Sequence, residues 1–260
     1  MIHAQLTMRS TALDMDTKVD VLLPEDRHET KDLRGKKYPV LYILHGAKED
    51  NSSWINLSNI FLMCRDLDLI VVMPTTYRGS YADAVFGQKY FTYIADELPM
   101  KMKNYFPISD RMEDTFIMGE SMGGGGTFRI ALRRPENYAK AVVLSSGNRN
   151  PFADGRTTAL DKGIFGDEET WRASENNADT LIQKMKTYEG HKPDMVFYCG
   201  TEDHVYPGCV ELYETLKKEV PDMNVKAEFW HGQHNFFFWN QAIPKALKEF
   251  GFEVVENSVI

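Results

Sequence analysis

The sequence predicts a mostly parallel α/β sheet with helices on both faces, and three observations predict it. Short apolar runs recur between turn signals, segments with helical spacing lie between several of them, and the runs are nearly continuous in apolar character rather than alternating. Strands of that kind are buried on both sides, which a sheet layered between helices provides. With 260 residues, 43% hydrophobic and 26% charged, the chain suits one large single-core domain over residues 1–260. Ligands of such sheets sit at the carboxyl ends of the strands, so functional residues are expected just after them.

In chain order the strand candidates are VDVLLP at 19–24, PVLYILHG at 39–46, LDLIVVMP at 67–74, TFIMG at 115–119, AVVLSSG at 141–147, DMVFYCG at 194–200 and VKAEFW at 225–230. Helical spacing links Phe91, Ile94, Leu98, Met102 and Tyr105, and again Phe128, Ala131 and Leu132. Residues 148–192 are polar and rich in Asn, Asp and Gly. Two readings stand for them, a lid-like insertion and a long connection carrying one surface helix around Ala178 to Met185. No repeat, low-complexity tract or Pro/Gly/Ser linker divides the chain.

Charge narrows the partners. Thirty basic against 38 acidic residues give a formal charge of -8, which repels nucleic acid and anionic membranes. The start, MIHAQLTMRSTALDMD, lacks a basic segment followed by an apolar one, and no later apolar run reaches the length of a membrane span. A soluble, unprocessed chain is expected. Cys64, Cys199 and Cys209 are too few and too scattered for a disulfide framework or a zinc site, so a reducing, cytoplasmic setting fits.

The chemistry starts at GESMGGGG, residues 119–126, between the strand TFIM and the helical TFRIALRRP. Four consecutive glycines at a helix start each cost up to about 1 kcal/mol against alanine, so backbone room must matter more there than helix stability. GESMG has the form G-x-S-x-G in a strand–turn–helix context, the signature of a nucleophile elbow that projects a serine above the sheet. Gly119 and Gly123 remove side chains that would collide with the neighbouring strand and helix, and Gly124 to Gly126 let the helix start lie close to the sheet. A phosphate-binding loop would need a lysine after its glycines, and none is present.

A serine at position 121 needs a histidine to take its proton and a carboxylate to orient that histidine, in the chain order Ser, acid, His. Of seven histidines, His3 and His28 read as surface residues, His45 as part of an HG turn and His191 as a loop residue, leaving His204, His231 and His234. His231 and His234 both follow the strand VKAEFW. His234 is favoured because it stands immediately before a helix-like aromatic stretch. The three-residue spacing of this pair, without an HExxH pattern or a third ligand nearby, does not predict a metal site, and no cofactor is predicted. In TEDHVY, after the strand DMVFYCG, Asp203 is the choice for the acid and Glu202 the reserve. The oxyanion donors are expected at the backbone of Met122, after the serine, and of Ala47, after the HG turn.

Assembled in this order, the residues resemble the esterase D-like branch of the α/β-hydrolases, particularly the tributyrin esterase and acetyl esterase group. The similarity runs through LHGAKEDNSSW, YADAVFGQKYFTYIADELP, GESMGG, YCGTEDHVY and GQHNFFFW, and covers the chain from Val19 to about Phe250. It implies the α/β-hydrolase fold, a triad of Ser121, Asp203 and His234, and Ala47 with Met122 as oxyanion donors. Two positions depart from the group: Gly125 stands where a bulky residue is usual, and Glu120 where an apolar one is frequent. S-formylglutathione hydrolases usually carry a cysteine soon after the oxyanion loop, which AKEDNSSW lacks.

The expected activity is that of a serine carboxylesterase hydrolysing short-chain acyl esters, acetylated sugars or aryl esters among them, through an acyl-enzyme. An acyltransferase or a thioesterase like S-formylglutathione hydrolase would use the same triad. A noncatalytic binding protein would be expected to have lost a triad member. Trp54, Tyr81, Phe86, Phe237 and Trp239 are the candidate pocket residues for a small-molecule ester. The sequence leaves open whether the chain forms a homo-oligomer.

Overall fold

Runs such as VLYIL and IVVMP, with no polar alternation, are stable in water only when both faces are covered, and every residue of both is buried. The computed structural model describes residues 1–25, 35–155 and 157–254. Its strands are β1 (Ile2–Ser10), β2 (Met15–Leu23), β3 (Val40–Leu44), β4 (Ile70–Pro74), β5 (Thr115–Glu120), β6 (Lys140–Leu144), β7 (Asp194–Gly200) and β8 (Val225–Trp230). They form one sheet in the order β1-β2-β4-β3-β5-β6-β7-β8. β2 is antiparallel to both β1 and β4, and the ladders from β4 through to β8 are parallel.

Between strands run α1 (Ser53–Leu57), α2 (Ile60–Cys64), α3 (Tyr90–Thr92), α4 (Leu98–Tyr105), α5 (Met122–Arg133), α6 (Ala159–Phe165), α7 (Glu168–Ala173), α8 (Ala178–Thr187), α9 (Tyr206–Glu219) and α10 (Phe236–Glu249). A π-helical stretch, Tyr93–Glu97, joins α3 to α4. The sheet separates two apolar cores. One collects Phe91, Leu98, Phe128, Leu181, Leu212 and Leu216 from α3, α4, α5, α8 and α9, and the other collects Trp54, Ile60, Ile243 and Leu247 from α1, α2 and α10. Helices on both faces, as expected, leave the carboxyl ends of the parallel strands free for a site.

Three features differ from or refine the sequence reading. β1 has no counterpart among the strand candidates: IHAQLTMRS alternates between exposed and half-buried positions, which is the pattern of an edge strand rather than a central one. It pairs with β2 from Ile2↔Leu23 to Ser10↔Met15. The run AVVLSSG is strand only to Leu144, because Ser145 takes a positive φ of 47°. Within 148–192, α8 belongs to the main core, whereas Ile164, Phe165 and Trp171 of α6 and α7 form a small separate cluster with Ala82.

The hairpin of β1 and β2 is tied to the layer below it by Glu97. Its carboxylate accepts from Ser10 Oγ at 2.6 Å and from the N–H groups of Thr11 and Ala12 at 2.8 and 3.0 Å, and pairs with Lys101 at 2.8 Å. Burial raises the carboxyl's pKa, but Lys101, Ser10 and the two N–H groups outweigh burial and hold it down at about 2. His3 bonds the buried Asp20, and His28 lies outside the described residues. Cys64, Cys199 and Cys209 are buried free thiols. No helix among the described residues is long and apolar enough to cross a membrane.

Candidate active site

β5 lies between β3 and β6, so the loops leaving these strands meet over the centre of the sheet. At the end of β5 the chain must turn at once into α5, and Ser121 makes that turn with φ 54° and ψ -118°. A non-glycine residue in the left-handed region is strained by roughly 1–3 kcal/mol, tolerated where the surroundings fix it. Here two glycines allow the close approach. A Cβ on Gly123 would stand 2.3 Å from the Leu44 carbonyl oxygen, and one on Gly119 would stand 2.6 Å from the Gly123 backbone. No side chain fits at either position.

Ser121 Oγ lies 2.8 Å from His234 Nε2, while His234 Nδ1 lies 2.8 and 3.0 Å from the two oxygens of Asp203. With the carboxylate as acceptor, Nδ1 carries the proton and Nε2 is left to accept from the serine hydroxyl. Asp203 is buried at the end of β7 and also accepts the Val205 N–H at 3.0 Å. Burial raises its pKa, but the His234 hydrogen bond, the Val205 N–H and the His234 charge outweigh burial and hold it below the usual carboxylate range. His234 is placed by the start of α10, where the Asn235 side chain caps the helix by accepting from Phe238 N–H.

Among the described residues His234 is the histidine bonded to Ser121 Oγ, and of the alternatives His204 lines the same cavity. Glu202 is exposed and faces His231 at 3.5 Å, with both side chains at the surface. His191 donates to the Tyr138 carbonyl. His204 stands edge-on to His234, with ring centroids 4.5 Å apart, and its Nδ1 lies 3.4 Å from Asp203. Asp203, His204 and His234 form the one group among the described residues with metal-ligand proximity. Both ring nitrogens of His234, however, already face Asp203 and Ser121.

The oxyanion loop is held by contacts that the sequence did not reveal. His45 is buried, its Nε2 accepts the Thr76 N–H at 3.0 Å, and so its Nδ1 donates to the Gly46 carbonyl at 2.7 Å. Burial lowers its pKa, in keeping with a neutral ring. A Cβ on Gly46 would lie 2.7 Å from both carboxyl oxygens of the buried Glu120. Burial, followed by the nearby Glu49, pushes the Glu120 carboxyl well above the usual range. Ala47 and Met122 both line the cavity in front of Ser121, and Met122, as the first residue of α5, has an N–H with no partner inside the helix.

The five aromatic pocket candidates are not brought to that cavity. Trp54 is fully buried and donates from Nε1 to the Leu44 carbonyl, and Tyr81, also buried, donates to the His45 carbonyl at 2.9 Å. Trp239 is buried, donates to Ser145 Oγ at 3.0 Å and packs edge-on against His234. Each aromatic body fills core while its polar atom anchors a site loop from behind. Phe86 and Phe237, 81% and 84% exposed, lie on two separate surface depressions. The cavity, of about 350 Å³, is walled instead by the loops after β6 and β4, by α5 and by α6 and α7, including Arg129, Ser146, Arg149 and Trp171.

Residues 10–250 match the model of the Esterase family, described as "Putative esterase". The chain is 26% identical to acetyl esterase of Caldicellulosiruptor saccharolyticus, over 94% of this chain and 96% of that one. Among solved structures it is similar to FphF, a fluorophosphonate-binding serine hydrolase of Staphylococcus aureus, with TM-score 0.88, 27% identity and coverage of 97% and 99% of the two chains. An S-formylglutathione hydrolase from the same organism superposes with TM-score 0.84 at 27% identity, covering 96% and 98%. The fold is that of the α/β-hydrolases.

Proposed function

The chain belongs to the Esterase family and is a serine esterase, and from that premise we propose that it hydrolyses short-chain acyl esters through an acyl-enzyme on Ser121. The observation that carries this reading is the unbroken line from Ser121 Oγ through His234 to Asp203, with hydrogen-bond distances of 2.8 Å at each step. In the proposed reaction His234 Nε2 takes the hydroxyl proton as Ser121 Oγ attacks the ester carbonyl. The backbone N–H groups of Ala47 and Met122 receive the negative charge that develops on the carbonyl oxygen. His234 then gives its proton to the departing alcohol. Water, activated by the same nitrogen, releases the acid and restores the serine. Asp203 stays ionised throughout and stabilises the imidazolium, a role that suits its lowered pKa.

A short acyl group fits a cavity of about 350 Å³ whose wall mixes polar residues such as Ser80, Thr158 and Asn176 with apolar ones such as Leu160, Ile164 and Trp171. The similarity to an acetyl esterase supports the same choice. A panel of p-nitrophenyl acyl esters tests it: turnover is expected to fall steeply beyond butyryl, and preferential hydrolysis of long-chain esters would overturn the proposal. Adding an alcohol acceptor in the same assay separates hydrolysis from acyl transfer, since a transferase would divert most of the product into the new ester.

A further inference from the structure

The cavity in front of Ser121 holds a cation that the hydrolytic chemistry does not use. Gly125 and Arg129, four residues apart, lie on one face of α5, and Ser121 precedes that helix as its N-cap. At Gly125 the nearest atoms to an added Cβ are side-chain ends, Arg129 Nη1 and Ser146 Oγ at 3.3 Å and Arg129 Nη2 at 3.9 Å, whereas at Gly123 and Gly124 the Cβ would run into the backbone of neighbouring strands. The missing side chain leaves a window through which the Arg129 guanidinium faces the cavity that Ser121 also lines.

Arg129 donates from Nη2 to the Ser80 carbonyl, its buried Nε has no partner, and no carboxylate among the described residues pairs with it. The charged groups acting on it are themselves cations. Burial, then Arg133 and Arg149, lower its pKa to about 10, which still leaves it charged at neutral pH. Arg149, also on the cavity wall, is paired at 2.8 Å with Asp161, the acid on that wall, so Arg129 and the exposed Arg78 are the cations left in excess, and of these two Arg129 is the one drawn out of water. A partly desolvated guanidinium with one backbone acceptor is costly unless an anion completes it, and its planar fork matches a carboxylate. On a chain of formal charge -8 such a cation inside the cavity is a local reversal of sign.

We infer that the ester this enzyme takes carries a carboxylate, and that Arg129, seen past Gly125, binds it beside the reacting carbonyl. The inference rests on the esterase reading above and assigns the substrate class. The carboxylate has two places to sit, on the acyl group or on the alcohol, and matched probes separate them. For the alcohol side the pair is 4-acetoxybenzoate and 4-acetoxybenzamide, and for the acyl side the 4-nitrophenyl monoesters of succinic acid and of its monoamide.

The wild-type protein is expected to prefer the carboxylate over the amide by at least about tenfold in kcat/KM in one of the two pairs, mainly through KM, as for the loss of one charge-assisted hydrogen bond. Arg129→Gln should abolish the preference, and Arg129→Lys should keep part of it. Equal kcat/KM within both pairs, or a preference that survives in Arg129→Gln, would overturn the inference. If the variants do not fold, inhibition of wild-type phenyl acetate hydrolysis by benzoate and by benzamide is decisive, and equal inhibition by the two would overturn it. Absence of any turnover of neutral phenyl acetate would instead count against the esterase reading itself.

Discussion

Gly123→Ala sets helix propensity against packing at the point where the elbow is tightest. Alanine in a helical position is worth up to about 1 kcal/mol over glycine, so propensity alone predicts a more stable protein. The new Cβ, however, would lie 2.3 Å from the Leu44 carbonyl oxygen, 2.6 Å from its carbon and 2.8 Å from the His45 carbonyl oxygen. All three are backbone atoms of β3 and the oxyanion loop. Reaching ordinary contact near 3.4 Å requires a relative movement of 3.4 minus 2.3, about 1 Å, of the start of α5 away from β3. Overpacking of this kind costs roughly 1–3 kcal/mol, which outweighs the gain in propensity. It also displaces the Met122 N–H from Ala47, and a misplacement of about 1 Å costs on the order of 100-fold in turnover. Calorimetry and steady-state kinetics on a short aryl ester measure both effects. Gly125→Ala provides the contrast in stability, since its Cβ would meet only the end of a flexible arginine and a serine hydroxyl, and this variant is expected to melt no lower than wild type. A Gly123→Ala protein with wild-type melting temperature and kcat would refute the reasoning.

Two further perturbations have signs fixed by the structure. Asp203→Asn removes the acceptor that holds the His234 Nδ1 proton and should lower turnover by roughly four orders of magnitude, whereas Glu202→Gln, which touches only the exposed His231, should change it little; a crippled Glu202→Gln beside an active Asp203→Asn would exchange the roles. For Glu97 the folded pKa lies below the unfolded one, so its contribution is fully present above about pH 4.5 and is lost as pH falls towards 2. The fall from 4.5 to about 2 corresponds to about 3 kcal/mol at neutral pH. Urea unfolding across that range should show a steeper loss in wild type than in Glu97→Gln, and parallel curves would show that Glu97 does not couple the hairpin to the helix layer.

Much of this architecture was legible because the residues that build it are chemically committed. The central strands are apolar without alternation, and the serine sits between glycines that only a tight elbow requires. Each predicted triad member follows a strand, where the fold puts loops within reach of one another. β1 escaped notice because a half-exposed edge strand made of IHAQLTMRS leaves a weak apolar signal. The aromatic pocket candidates failed for a different reason. Sequence shows that Trp54, Tyr81 and Trp239 are large and lie near site loops, but not which way they point, and their buried N–H and O–H groups turn them inward to backbone and serine acceptors. Nothing in the sequence singles out Arg129 among the basic residues of TFRIALRRP, because its access to the cavity depends on the side chain missing at Gly125.

The proposed reaction requires Ser121 to be the nucleophile, and covalent labelling tests this most directly. Intact-mass and peptide mass spectrometry after treatment with a fluorophosphonate should find one adduct, on Ser121, formed in step with the loss of esterase activity and absent from Ser121→Ala. A fully inactivated protein labelled on another serine, or an active protein whose Ser121 is quantitatively labelled, would contradict it.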